Sequence, residues 1–168
     1  MSEHSWTTDA MRLHYLYRMR FTYPAGWEGG LEGGWQQHFY LAEGSCEGGM
    51  SGRLRGANFP MRRSEAGPFC PDMRGVIETD DGATVMFELH GYGRAYPAGT
   101  RQIVGSVLHV SDHPRHRQLN DVMCVCVGEV RSPADPREPG PHLVLDVAEL
   151  ATINRSDPAA RKESCEEN

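Results

Sequence analysis

No stretch of this 168-residue sequence is apolar for long enough to span a membrane, and its start, MSEHSWTTDAMR, lacks the basic and apolar regions of a signal peptide. A cytoplasmic protein with no membrane partner is expected. Basic charge is also short: 17 Lys and Arg stand against 23 Asp and Glu, for a formal net charge of -6. That balance fits neither a nucleic-acid grip nor a polybasic membrane patch. The Gly-x-Gly-x-x-Gly dinucleotide fingerprint and the Gly-rich phosphate loop are missing, so no cofactor is expected. Cys46, Cys70, Cys124, Cys126 and Cys165 form an odd set without metal spacing and read as reduced thiols. There is no useful internal repeat. With 19 Gly and 11 Pro the chain suits many turns and few long helices, and its length suits one domain with a real core.

What the sequence does have is alternation with a period of two. The stretch Pro71–Tyr92 holds two alternating arms that meet at Thr79-Asp80-Asp81-Gly82, and an Asp-Gly pair there is a strong hairpin signal. Asp72, Arg74, Val76 and Glu78 share one face of the first arm; Thr84, Met86, Glu88, His90 and Tyr92 share one face of the second. The opposite faces carry Met73 and Ile77, and Val85, Phe87 and Leu89. A two-sided sheet puts the charges in water, whereas a barrel with a polar lumen lines a pocket with them.

Further strands are expected over 12–23, 36–47, 50–58, 102–110, 119–130 and 142–150. The glycine-rich run 24–34 reads as a loop, as do 59–71, 95–101, 111–118 and 131–141. Residues 1–11 read as a flexible lead-in, 12–150 as the folded domain and 151–168 as a frayed tail. So many strands with so little helix favour an all-β, closed antiparallel β-barrel, because closure removes exposed edges.

The run Gly48–Gly56, the segment Asp72–Gly82 with its TDDG turn, the strand Ala83–Gly91, and Leu119-Asn120 leading into a valine-rich strand resemble an uncharacterised bacterial and fungal β-barrel family known only as a domain of unknown function. The resemblance covers roughly residues 12–150. It implies a lipocalin-like closed barrel and a homodimer, and it matches Asp72 and Arg74 to family positions. The sequence departs from that family after the turn, with Met86, Glu88 and His90, and before Asp72, where Phe69-Cys70 replaces a tryptophan.

The chemistry expected of a polar lumen is acid–base chemistry without a cofactor. Asp72, Glu88 and His90 are the candidate catalytic residues, because carboxyl and imidazole groups move protons near neutral pH. Arg18, Arg20, Arg74 and Tyr92 are the candidate substrate-binding residues, arginine for a carboxylate and tyrosine for a phenolic or ketonic oxygen. The expected activity is that of a lyase, of the decarboxylase kind, on a small aromatic or polyketide-like carboxylic acid. An isomerase or cyclase, or a barrel that binds an anionic, partly apolar ligand without turnover, are the alternatives. His109, Asp112, His113 and His116 cluster in HVSDHPRH, but their spacing fits no metal motif, and no metal site is expected.

Overall fold

The computed structural model describes residues 11–95, 101–132 and 141–152, and this part of the chain is almost entirely antiparallel strand. The strands in chain order are β1 (Met11–Gly30), β2 (Gln36–Gly48), β3 (Gly52–Asn58), β4 (Met61–Arg62), β5 (Asp72–Thr79), β6 (Thr84–Ala95), β7 (Arg101–Val110), β8 (Cys124–Arg131) and β9 (His142–Thr152). Glu32–Gly34 and Arg117–Asp121 are short 3-10 turns. Neighbouring strands follow the order β1-β9-β8-β7-β6-β5-β3-β2, and β1 also pairs with β2. The ladder thus passes through eight strands and returns to its start, while β4 adds two residues to the edge of β2. No helix among the described residues is long and apolar enough to cross a membrane.

The hairpin expected at Thr79–Gly82 joins β5 to β6, with Ile77 opposite Val85 and Glu78 opposite Thr84. The Thr79 amide donates to the Ala83 carbonyl at 2.9 Å, and the Gly82 amide donates to the Thr79 carbonyl at 2.9 Å. Gly82 holds φ at 85°, a left-handed conformation that costs glycine little. Glycines also allow the sheet to bend. Gly56 of β3 faces Gly75 of β5, and a Cβ on Gly56 would lie 2.4 Å from the Arg74 carbonyl oxygen.

The apolar face of each strand points inward. Tyr17, Met19, Leu54, Met73, Ile77, Val85, Phe87, Leu89, Val107, Leu145 and Val147 fill one continuous core. Each such side chain contributes roughly 1.5–3 kcal/mol by leaving water. These apolar side chains fill the inner face of the sheet, and the charged groups of the strands, which are costly to bury unpaired, face out. Of the two readings left open for Asp72, Arg74, Glu88, His90 and Tyr92, the structure shows the outward one: these side chains stand half-buried to exposed on the outer face, so the polar-lumen reading that made them site residues is corrected.

Three other expectations change, the smallest being that the expected loop 59–71 contains the short strand β4, paired with Gln36 and Gln37 of β2. The run 24–34 is not all loop, because β1 continues to Gly30 and pairs with β2 through Ala25↔Leu41, Gly26↔Tyr40 and Trp27↔Phe39. A register shift between Thr22 and Ala25 absorbs Pro24, which has no amide to give the ladder. The strand expected from Leu119 begins only at Cys124, because Leu119 is drawn into the 3-10 turn and buried. The turn expected around 96–100, most of the loop 131–141, the lead-in before Met11 and the tail after Thr152 lie outside the described residues.

Candidate functional site

All seven residues singled out from the sequence lie outside the barrel. Arg18 makes a two-pronged pair with Asp146, Nε to Oδ1 and Nη2 to Oδ2 both at 2.7 Å, and this holds the Asp146 carboxyl below the usual range. Arg20 reaches Glu47 at 3.1 Å. The remaining five do assemble, but across the outer faces of β5 and β6. His90 lies 3.5 Å from Asp72 and 3.8 Å from Glu88, and Glu88 lies 3.8 Å from Arg74. Asp72, His90 and the exposed Tyr92 border an open surface groove with Met61, Arg63 and Cys70. These are half-exposed strand-face contacts, worth little in stability, although Oδ1 of Asp72 is itself covered and has no hydrogen-bond partner.

The barrel has its own cavity, at the end where β5 starts and β6 finishes. It measures about 430 Å³. Phe69, Ile103, Val130 and Leu143 give it an apolar wall, and Tyr23, Tyr40, Asn58 and Arg101 give it polar groups. Inward alternation along β1, β2 and β3 delivers Tyr23, Tyr40 and Asn58 there, one step beyond the packed core. The Asn58 side-chain amide donates to the Tyr23 hydroxyl at 2.6 Å, while its carbonyl accepts the Asp72 backbone N–H at 3.1 Å. Burial pushes the Tyr23 phenol up to about 12, against the pull of that Asn58 hydrogen bond. Burial, and then the negative charge of Glu28, also raise Tyr40. Both hydroxyls are neutral donors at physiological pH.

Behind Tyr40 sits His38, only 4% exposed. Its Nδ1 lies 3.0 Å from the Tyr40 hydroxyl and 3.5 Å from a carboxylate oxygen of Glu28, which is itself in water. Its Nε2 is buried without a hydrogen-bond partner. A series of ring contacts runs through the site: Tyr23 stacks on Tyr40 at 4.8 Å, Tyr40 stacks on His38 at 5.5 Å, and His38 meets Phe69 at a tilt at 5.4 Å. The Arg101 guanidinium lies 4.3 Å from the Phe69 ring centroid, and Arg62 lies 5.2 Å from it. Gly26 makes room for this arrangement, since a Cβ there would meet the Tyr40 ring at 2.1 Å. His38 is not among the seven residues singled out from the sequence. The strand alternation His38–Tyr40–Ala42 was the available signal.

The other end is closed by the β5–β6 turn and the loop 111–122. Inside it, Tyr17 and His109 are both buried and joined at 2.6 Å. His109 thus faces the lumen and leaves the histidine-rich loop cluster, while Asp112 is exposed. Among the described residues one group converges as metal ligands do, and it is made of Asp81, His113 and His116. Cys46, Cys70, Cys124 and Cys126 are free thiols; burial pushes Cys46 and Cys126 to about 12 and Cys124 to about 11, which suits inert packing. Cys165 lies outside the described residues.

No family model matches the chain, and no curated protein matches it. Solved structures do. A beta-barrel like protein from Acinetobacter baumannii AYE is 21% identical, with a TM-score of 0.69 over 84% of this chain and 96% of that one. A protein with unknown function from Clostridium acetobutylicum is 15% identical, with a TM-score of 0.71 over 84% and 99%. An enzyme from Penicillium herquei is 18% identical, with a TM-score of 0.62 over 84% and 96%. At these identities the likeness is one of fold, and the fold it supports is a β-barrel-like sheet.

Proposed function

We propose that this chain is a lipocalin-like barrel of the uncharacterised family it resembles, and that its open-end cavity binds a small aromatic or polyketide-like acid. The observation that carries the proposal is the cavity itself: an apolar wall with a few convergent polar groups, which is how small-molecule sites are built. The stacked Tyr23 and Tyr40 rings, together with the Phe69 ring in the same wall, suit a flat apolar body. Arg101 suits negative charge on the ligand, resident or developing.

The reaction this site fits is cofactor-independent loss of carbon dioxide. The bond to the carboxylate breaks, its electron pair stays on the ligand carbon, and a proton must take the place of carbon dioxide. Tyr40 donates that proton, His38 restores it, and the solvated Glu28 connects His38 to water. The proton-transfer role thereby passes from Asp72, Glu88 and His90 to His38 and Tyr40. The fungal neighbour described as an enzyme supports turnover on this fold by analogy alone.

Incubation of the purified protein with a panel of aromatic and polyketide-like acids, read by mass spectrometry, tests this reading. Expected is a product lighter by carbon dioxide, with at least about 10²-fold slower turnover in Tyr40→Phe and in His38→Gln. Product of unchanged mass identifies an isomerase or cyclase instead. Ligand recovered intact, with affinity still lowered by Arg101→Met, identifies a binding barrel without turnover.

The same proposal includes a cytoplasmic homodimer. Tyr92, Val104 and Val127 lie side by side across the outer faces of β6, β7 and β8, and each is more than half exposed. Light scattering at micromolar concentration is expected to give twice the chain mass, and Val104→Glu to give the monomer.

A further inference from the structure

The closed end of the barrel brings together side chains that lie far apart in the sequence. Asp81 comes from the β5–β6 hairpin turn, and His113 and His116 come from the loop after β7. One ligand atom from each falls within 4.8 Å of the others. Nε2 of His116 is already 3.4 Å from Oδ1 of Asp81. Two donors each about 2.1 Å from one tetrahedral ion stand about 3.4 Å apart, so this pair has the spacing of a zinc shell.

Both turns are fixed before any ion arrives. The Thr79 hydroxyl donates to Oδ1 of Asp81, and the Asp80 amide donates to the Ser51 carbonyl at 2.9 Å. Across the gap, Asn120 accepts the Ser111 amide at 2.8 Å and donates to the Ser111 carbonyl at 2.9 Å, tying the loop's two ends. The His116 amide donates to the His113 carbonyl at 3.0 Å, which sets the two histidines three residues apart on one turn. His116 is buried, whereas His113 is half-buried and held at Nδ1 only by a 3.3 Å contact from the Arg115 amide. His113 is therefore the ring that moves inward to complete the shell.

We propose that Asp81, His113 and His116 bind one divalent first-row ion of the zinc type, which staples the hairpin turn to the loop that closes the barrel. Two imidazoles and one carboxylate suit zinc, with water in the fourth position. The ion replaces the ring proton that His116 holds toward Asp81, and that proton moves to Nδ1 of the same ring or to solvent. Arg115 is the opposing charge: its guanidinium lies 3.0 Å from Oδ2 of Asp81. It leaves Oδ1, which accepts the Thr79 hydroxyl, to face His116 and, being exposed, can swing away, but it weakens the site by repulsion.

The site is tested on the full chain, freed of metal and titrated with cobalt(II) and then zinc(II). Expected are one cobalt per chain, visible bands of a nitrogen–oxygen shell without a thiolate charge-transfer band, and a raised melting temperature with zinc. His113→Ala and Asp81→Asn should each bind at least about 10-fold more weakly, the minimum that even an outer-shell change costs. Arg115→Gln should bind more tightly. No saturable binding, equal affinity in His113→Ala, unchanged or weaker affinity in Arg115→Gln, or a thiolate band would each overturn the proposal. The His113→Ala variant keeps the test open even where a His116 variant fails to fold, because His113 is not part of the core.

Discussion

At the scale of single residues, Asp72 separates what alternation tells from what it leaves out. Its backbone amide supports Asn58 at the cavity wall, while its side chain turns outward to His90 at 3.5 Å. Removing the carboxyl charge leaves the amide in place. Asp72→Asn, like His90→Gln, should therefore leave ligand affinity and turnover within about 2-fold of the parent and change stability by less than about 1 kcal/mol. Parallel titrations and urea melts would check this; a loss of 10²-fold in turnover would return the chemistry to the outer groove. The sequence shows plainly that Asp72, Arg74 and Glu78 share a face, because a strand's side chains alternate. Which face points inward depends on whether the ring is wide enough for a wet lumen, and no local pattern carries that. Charge-rich and apolar faces were both legible; their assignment was not.

At the scale of elements, the β1–β2 hairpin shows tertiary pairing overriding local composition. Pro24, Gly26, Gly29 and Gly30 all argue for a loop, yet β1 reaches Gly30 because Trp27 and Phe39 face each other and pack at 5.5 Å. The gain for the site is Gly26 beneath Tyr40. A methyl group there must displace the Tyr40 ring, since the contact would close to 2.1 Å. Gly26→Ala should cost about 1–3 kcal/mol through overpacking and weaken ligand binding along with it. Calorimetric titration of the ligand beside thermal melting reads both effects; a stable variant with full affinity would remove Tyr40 from the binding surface. By contrast the β5–β6 hairpin was legible to within a residue, because Gly82 needs a positive φ that its neighbours disfavour. Gly82→Ala should cost about 1 kcal/mol with no effect on the cavity, which lies at the other end. A urea midpoint measured together with ligand affinity distinguishes that purely structural cost.

At the scale of the whole molecule, one buried pair sets how stability responds to mild acid. Tyr17 and His109 lie in the lumen at 2.6 Å, with the Cys46, Cys124 and Cys126 thiols near Tyr17. Burial lowers His109 from 6.5 to about 4, because a charged imidazole there has no counter-charge. Between those values the unfolded chain binds a proton that the folded chain refuses, so stability must rise with pH across that window. The contribution is full above about pH 6.5 and is lost as pH falls toward 4, by at most about 3 kcal/mol. Asp146, held low by Arg18, acts in the same direction, but only below its ordinary value of 3.8. Asp81, lowered to about 2, does likewise, so among the shifted groups of the described residues His109 is the one that titrates between pH 4 and 6.5 and sets the slope there. His109→Gln keeps a polar partner for the Tyr17 hydroxyl and removes the titration. Urea midpoints taken across that range should climb with pH for the parent and stay nearly flat for the variant. Parallel slopes in the two proteins would show that His109 is already paired or hydrated when charged, and that the lumen around it is not dry.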